Sequence, residues 1–222
     1  MKWYKKNPGF FIEEMKVIRE NYPNLHYRIK EEIVFLSGEL EFNATYNNIN
    51  IQDKYSIKIV FPDDYPNTFP SVIETGNRIP KNYHKLIGDR LCLGTPMEVS
   101  CFFNKAKSIK PLIDILVIGY LYRYSYLEKY KEEPFAERSH GVKGKLEFYS
   151  EVLGTSDVPV IIKYLKIIFR PKFGGHLLCP CGSGKQIRNC HQKNISELSN
   201  ISKAIISDDL EQLLKLQRSF KL

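Results

Sequence analysis

The chain has 222 residues, of which 43% are hydrophobic, and a formal net charge of +8 at pH 7. This length suits a domain of roughly 150 residues with a smaller appendage, or two modest domains, and the mixed composition excludes long disorder and fibrous repeats. The longest apolar run, Leu112 to Leu121, contains Asp114 and is too short to span a bilayer. Asn7 and Pro8 stand where a signal peptide would have its apolar stretch, so we expect a cytoplasmic protein without a membrane partner.

The N-terminal half has the pattern of one helix followed by an antiparallel meander. Asn7 and Pro8 are typical of a helix start, and Pro23 ends the apolar periodicity that follows them. β-Branched and aromatic residues then predict four strands: two between Leu25 and Phe42, one from Tyr55 to Phe61, and one from Val72 to Thr75. The asparagines between residues 47 and 50 are typical of a turn, so the second and third strands should form a hairpin-like pair.

The second half is predicted to be helical after an irregular segment. No regular structure is expected from Arg78 to Cys101, and a long irregular stretch inside a compact domain is usually functional. Capping residues and prolines then predict two helices, from Ser108 to about Tyr130 and from Asp157 to about Phe169. The predicted class is therefore α+β, with an N-terminal helix, a four-stranded antiparallel meander and C-terminal helices.

Three features upstream of residue 100 follow one another in a distinctive order. They are the proline-rich string FPDDYPNTFPSV from Phe61 to Val72, a histidine at position 84, and the string LCLGTP from Leu91 to Pro96. On these features, the segment from about residue 8 to 130 resembles the ubiquitin-conjugating enzyme family. The resemblance implies that family's fold, and it places Cys92 where the family has its thioester-forming cysteine.

The chain departs from the family's usual pattern just before that cysteine. Where the family has His-Pro-Asn, with an asparagine that stabilises the oxyanion, this chain has His84-Lys85-Leu86. Together with the string Ser139-His140-Gly141, this pattern is similar to bacterial members of the family, which accompany antiphage signalling operons and ubiquitin-like pathways. The resemblance implies that Cys92 is the catalytic nucleophile and that His84 and His140 assist it.

Thioester transfer requires an accessible thiolate and hydrogen-bond donors aimed at the developing oxyanion. The basic residues Arg90, Lys85 and His84 lie close in sequence to Cys92 and could favour its thiolate form. The candidate oxyanion donors are His140 and His84, followed by Asn82, Asn104 and backbone amides. Each main candidate also has a purely structural alternative, with Cys92 as a small buried hydrophobe, His84 as a residue that holds its loop, and His140 as an exposed loop residue.

A second motif lies near the C-terminus, where Cys-x-Cys is followed after eight residues by Cys-His. Its four members are Cys179, Cys181, Cys190 and His191. Three thiolates and one imidazole complete a tetrahedral zinc shell without an open position, which predicts a structural rather than a catalytic ion. The motif resembles SEC-C, the zinc-binding tail of the bacterial preprotein translocase ATPase. The alternative is a set of reduced cysteines without a metal.

The motifs divide the chain into three predicted parts. They are a ubiquitin-conjugating-enzyme-like domain at 1–170, a SEC-C zinc-binding motif at 171–195, and an amphipathic terminal helix at 196–222. The apolar face of that helix is predicted from Leu210, Leu213 and Leu214 with Leu216 or Phe220, and its cap from Ser207 and Asp208.

The expected function is transfer of a ubiquitin-like modifier, or of another protein's C-terminus such as that of a nucleotidyltransferase, through a thioester on Cys92. The partner that the resemblance implies is an adenylating, ubiquitin-activating-like enzyme. One alternative is a catalytically inactive binding module with the same fold. The other is a zinc-tailed adaptor for protein or nucleic acid, which ranks last because few aromatic residues accompany the basic residues of the tail.

Overall fold

The structure is a computed structural model, and it describes residues 1–135, 138–170 and 174–219. The chain forms two compact units, the first comprising Met1–Leu93 and Lys105–Ala136, the second Gly94–Asn104 and Glu137–Leu222. It combines helices with an antiparallel sheet, as predicted. None of the described helices is long and apolar enough to cross a membrane. The predicted domain boundaries concern independent folding, and they stay predictions.

The first unit begins with a short helix, α1 (Trp3–Lys6), and a longer helix, α2 (Pro8–Asn21). The start predicted for α2 is confirmed, because the Asn7 side chain accepts a hydrogen bond from the backbone amide of Phe10 at 3.2 Å. Met15 and Ile18 of α2 are buried, so one face of the helix packs into the core.

The sheet contains six strands within the described residues. They are β1 (Leu25–Lys30), β2 (Ile33–Tyr46), β3 (Ile49–Val60), β4 (Ser71–Glu74), β5 (Lys85–Leu86) and β6 (Arg90–Leu91). Neighbouring strands are antiparallel, in the order β1-β2-β3-β4-β6-β5. The four predicted strands are confirmed. The third begins earlier than predicted, because Asn47 and Asn48, with φ of 46° and 63°, form a tight turn that lets β2 and β3 pair along their whole length.

The prediction of no regular structure from Arg78 to Cys101 was wrong. This segment contains β5 and β6, and it also contains the start of helix α3 (Pro96–Ala106). Gly88 and Asp89 have positive φ, which allows the tight turn between the two short strands. Thr95 starts α3 by accepting a hydrogen bond from the amide of Glu98 at 3.3 Å, the first half of a capping box.

The long helix predicted up to Tyr130 is present, although its middle is widened. An α-helical turn, α4 (Ile109–Pro111), leads into a π-helical segment (Leu112–Val117) and then into α5 (Ile118–Tyr130). Glu14, a buried residue of α2, accepts hydrogen bonds from the Ile109 amide (2.9 Å), the Ser108 hydroxyl (2.8 Å) and the Tyr65 hydroxyl. The carboxylate of α2 therefore caps the start of this helix, where its negative charge suits the helix dipole.

The second unit is helical. Its longer elements are α6 (Gly141–Leu153), α7 (Val158–Ile168), α8 (Gln192–Ser199) and α9 (Lys203–Ser219). Asp157 caps α7 as predicted, accepting from the Val160 amide. The cap predicted for the terminal helix was wrong, because α9 starts at Lys203 and contains Ser207 and Asp208 in its interior. Leu213 of its predicted apolar face is buried, and Phe220 lies outside the described residues.

A buried ion pair joins α6 to α9. The Lys145 ammonium lies 2.7 Å from the Asp209 carboxylate and 2.8 Å from that of Asp208, and the Tyr149 hydroxyl donates to Asp209 at 2.7 Å. Burial alone would lower the pKa of Lys145, but its hydrogen bonds to the two carboxylates outweigh this effect and raise the pKa. The stabilisation from this raised pKa is present below the unfolded value of 10.5 and is lost as the pH rises through the folded value.

We predict that Asp209→Asn destabilises the second unit by about 3 kcal/mol, because it removes the buried partner of the Lys145 charge and leaves only the exposed carboxylate of Asp208. The matched change Asp208→Asn should cost about 1 kcal/mol or less, because the Asp208 side chain is 60% exposed and that of Asp209 only 1%. Urea unfolding followed by circular dichroism measures both. Equal losses for the two variants would contradict the account.

We also predict that Gly38→Ala destabilises the first unit by about 3 kcal/mol. Gly38 has a φ of 145°, and a Cβ atom there would lie 1.9 Å from the backbone oxygen of Asn24. Gly119→Ala is the control, because nothing lies within 4 Å of its added Cβ and it lies inside α5. This control should be neutral or slightly stabilising in thermal unfolding, and an equally stable Gly38→Ala variant would refute the proposed clash.

Candidate active site and candidate metal centre

The structure brings Cys92 and His84 together across a short hairpin. Lys85 pairs with Leu91 and Leu86 with Arg90. The amide of Cys92 then donates a hydrogen bond to the carbonyl oxygen of His84 at 2.8 Å, which extends the pairing by one step. Both residues are partly buried, so the two lie opposite each other at the open end of the hairpin without being sealed in the core.

The hairpin is attached to the main sheet rather than suspended in a free loop. Ile73 of β4 pairs with Arg90 of β6, and the neighbouring Leu91 side chain is buried. Cys92 follows directly after this strand. Its backbone position is therefore set by sheet pairing on one side and by the His84 carbonyl on the other.

Tyr120 fixes the His84 end of the hairpin. Its hydroxyl donates to the carbonyl oxygens of Tyr83 (3.0 Å) and His84 (3.3 Å). The Tyr83 ring in turn lies edge-on to the His84 ring, with 4.6 Å between the centroids. Tyr120 was not among the site residues predicted from the sequence. The signal for it was the spacing of Tyr120 and Tyr124 on one helix face, but that spacing is equally typical of core residues.

The lysine and arginine predicted to favour the Cys92 thiolate each donate a hydrogen bond to a backbone carbonyl oxygen. The Lys85 ammonium is buried, lies 3.8 Å from the buried carboxylate of Glu74 and donates to the carbonyl oxygen of Ile79 at 2.7 Å. The Arg90 guanidinium donates to the carbonyl oxygen of Ile87 at 3.0 Å. Because Glu74 largely neutralises Lys85, we do not assign Lys85 the activation of the thiol.

The remaining candidates for assisting Cys92 are distributed over both units. Asn82 is exposed in the turn two positions before His84, in the same unit as Cys92. His140 belongs to the second unit, where it is exposed and immediately precedes α6. Asn104, also in the second unit, donates its side-chain amide to the carbonyl oxygen of Asn200 at 3.2 Å. His84 and Asn82 are thus the candidate side-chain donors that share the hairpin's unit.

The four predicted metal ligands converge in the second unit. Their ligand atoms all lie within 4.8 Å of one another. Cys181 Sγ lies 3.6 Å from Cys190 Sγ, and His191 Nδ1 lies 3.2 Å from Cys190 Sγ and 3.3 Å from Cys179 Sγ. A tetrahedral ion with metal–sulfur bonds of about 2.3 Å separates its sulfur ligands by about 3.8 Å, whereas a disulfide requires about 2.05 Å. The group could therefore hold a metal ion.

A small ribbon and the start of a helix position these ligands. The Cys179 amide donates to the carbonyl oxygen of Lys185 at 2.8 Å, closing a loop that contains Cys181. Gly182 and Gly184 have φ of 78° and 70°, and this left-handed backbone lets so short a loop turn back on itself. The other two ligands follow the ribbon, and His191 immediately precedes α8.

The surroundings of Cys181 and Cys179 shift the pKa values of the two thiols in opposite directions. Hydrogen bonds from Ser183 lower the pKa of Cys181 to about 6, whereas burial raises the pKa of Cys179. The hydroxyl of buried Tyr164 lies 3.1 Å from Cys179 Sγ, and its ring centroid lies 5.3 Å from that of His191. Burial raises the pKa of Tyr164, so its hydroxyl keeps its proton and can donate to a Cys179 thiolate. Tyr164 was not among the site residues predicted from the sequence.

No known protein-family model matches the chain, and no curated protein matches it. The two sites therefore have to be interpreted through their own geometry.

We predict that Tyr164→Phe lowers the affinity for Zn²⁺ by about 10- to 100-fold, because it removes the hydrogen bond to Cys179. Competition with a chromophoric chelator measures this affinity. Tyr149→Phe is the matched control, since it removes a buried hydroxyl that bonds Asp209 in the same unit and should leave the affinity unchanged. Wild-type affinity in the Tyr164→Phe variant would rule out the role given to this hydroxyl.

Proposed function

We propose that the chain is a ubiquitin-conjugating-like transferase that carries a ubiquitin-like modifier, or another protein's C-terminus, as a thioester on Cys92. The observation that supports this proposal most directly is the backbone hydrogen bond between Cys92 and His84 at the open end of the β5–β6 hairpin. The partners are an adenylating activating enzyme and an acceptor amine. The setting we propose is the bacterial cytoplasm, in an antiphage or ubiquitin-like pathway.

The order of the elements supports this proposal. Helix α2, the meander β1–β4, the cysteine-bearing hairpin and a following helix succeed one another along the chain. This is the order that the resemblance to the ubiquitin-conjugating enzyme family leads one to expect. The proline-rich segment between β3 and β4 lies where the resemblance predicts it.

The proposed reaction has two acyl-transfer steps. The Cys92 thiolate attacks the carbonyl carbon of the thioester on the activating enzyme, and the enzyme's own thiolate leaves. An acceptor amine then attacks the new thioester, the Cys92 thiolate leaves, and the proton lost by the amine passes to solvent or a basic side chain. Each step develops negative charge on the carbonyl oxygen, and donors there contribute about 3 kcal/mol each. His84, Asn82 and backbone amides near the hairpin are our candidates within the first unit.

We further propose that Cys179, Cys181, Cys190 and His191 bind zinc in a structural role. Four protein ligands leave no position for water or substrate, so the ion would supply a cross-link and no catalytic chemistry. The ribbon has little apolar interior of its own, and Leu178 within it is exposed. Folding of the ribbon should therefore depend on the metal.

One observation favours an alternative in which the fold binds a partner without transferring anything. Leu86 stands where the family has the asparagine that stabilises the oxyanion, and its exposed side chain has no hydrogen-bond donor. A binding module would tolerate this replacement. The two candidate functions differ in whether Cys92 forms a covalent intermediate.

We predict that the wild-type chain, incubated with the activating enzyme, the modifier and ATP, forms an adduct that reducing thiols cleave. Cys92→Ser should form either no adduct or an oxyester that thiols leave intact, because a hydroxyl replaces the thiol. Cys101→Ser is the control and should behave like wild type. Intact-protein mass spectrometry distinguishes these products.

The transfer proposal fails if the wild-type chain stays unmodified while the activating enzyme is fully charged. A thiol-labile adduct on Cys92→Ser would move the acyl carrier to another cysteine.

A further inference from the structure

Strand β1 is an edge strand of the sheet, and we call its unpaired side the β1 margin. It pairs with β2 along its six residues, and among the described residues no strand lies on its other side. Its outer N–H and C=O groups therefore form a template for a further strand. Every residue of β1 except Leu25 is exposed, so this margin is open to solvent.

The two faces of β1 differ in chemistry. Tyr27 and Ile29 pair with Leu36 and Val34, whose side chains are buried in the core, so they belong to the core face of the sheet. They are nevertheless 51% and 46% exposed, because the core ends at this margin. On the opposite face, basic residues alternate with them; they are His26, Arg28 and Lys30. The strand is thus apolar on one face and basic on the other.

The apolar face continues onto helix α2. The ring of Phe11 lies edge-on to that of Tyr27, with 5.5 Å between the centroids, and the adjacent Ile12 is exposed. A strand added beside β1 would extend the sheet, and its core-facing side chains would cover Tyr27 and Ile29. Apolar residues at alternate positions suit that side of the added strand.

The basic face lacks neutralising partners. Arg28 and Lys30 form no salt bridge with any residue that the structure describes, and the residues opposite them on β2 are Phe35 and Ile33. Two acidic residues, Glu31 and Glu32, follow β1 in the turn, and Glu32 is paired with Lys5 at 2.5 Å. Opposite charges on adjacent strands stabilise their pairing, whereas like charges weaken it. A second copy of β1 would bring equal positive charges together, and an acidic strand would balance them.

We propose that the β1 margin binds an extended segment of a partner protein in which acidic and apolar residues alternate. The acidic side chains would pair with Arg28 and Lys30, and the apolar ones would cover Tyr27 and Ile29. Main-chain hydrogen bonds to β1 would supply affinity without sequence selectivity, and the alternation would supply the selectivity. This surface is separate from the Cys92 hairpin, and its binding requires no thioester.

Fluorescence anisotropy with a labelled synthetic peptide of alternating glutamate and valine tests the proposal on the full chain. We expect measurable binding to wild type, weakened by 1 M NaCl because salt screens exposed charges. The double variant Arg28→Glu/Lys30→Glu should bind at least tenfold more weakly. A peptide of alternating lysine and valine should reverse this preference, binding the variant better than wild type. That gain would also show that the variant is folded.

Three comparisons decide the outcome. Lys81→Glu/Lys107→Glu makes the same change in net charge at two exposed positions outside β1, and it should leave affinity for the glutamate–valine peptide within about twofold. Hydrogen exchange should show protection of residues 26–30 when the peptide binds. The proposal is overturned if this control loses as much affinity as the β1 variant, if protection appears elsewhere, if wild type self-associates through β1, or if it does not bind the peptide.

Discussion

The hydrogen bond from the Cys92 amide to the His84 carbonyl oxygen is the contact on which the candidate active site depends. It closes a hairpin too short to persist alone, so the surrounding structure has to hold it. Tyr120 binds the His84 carbonyl from the helix side, while the buried pair of Lys85 and Glu74 ties β5 to β4. The Tyr120 hydroxyl and the Lys85 ammonium therefore help to hold the hairpin in position. The cysteine is consequently held in place by its backbone, and its side chain is left partly open.

The second unit is organised by a different constraint, the convergence of three thiols and an imidazole on one point. The ribbon that carries them is short, and its glycines adopt left-handed backbone so that the loop can turn. Tyr164 connects this group to the helical core through the 3.1 Å hydrogen bond between its hydroxyl and Cys179 Sγ. The ion pair of Lys145 with Asp209 then fixes the terminal helix to the same core. A metal ion held by this group would therefore stabilise the same unit as the helix packing does.

Local signals in the sequence predicted the elements that depend on local chemistry. Asn7 with Pro8 identified α2, and the spacing of the cysteines and the histidine identified the four side chains that converge as candidate metal ligands. The start of α3 at Thr95 was missed although its capping pattern is present in the sequence. The roles of Glu14 and Tyr120 could not be predicted, because they depend on residues more than thirty positions away. The helical spacing of Tyr120 indicates a buried position, but it does not indicate which distant carbonyl oxygen its hydroxyl contacts.

The most direct test of the account is to map modifications of Cys92 in cells that express the protein natively. Cells are denatured rapidly in acid without reductant, and the tryptic peptide from Leu91 to Lys105 is fragmented so that Cys92 is distinguished from Cys101. The account predicts a hydroxylamine-labile peptide remnant on Cys92 and none on Cys101. A remnant confined to Cys101, or unmodified Cys92 while the activating enzyme in the same cells carries its thioester, would contradict it.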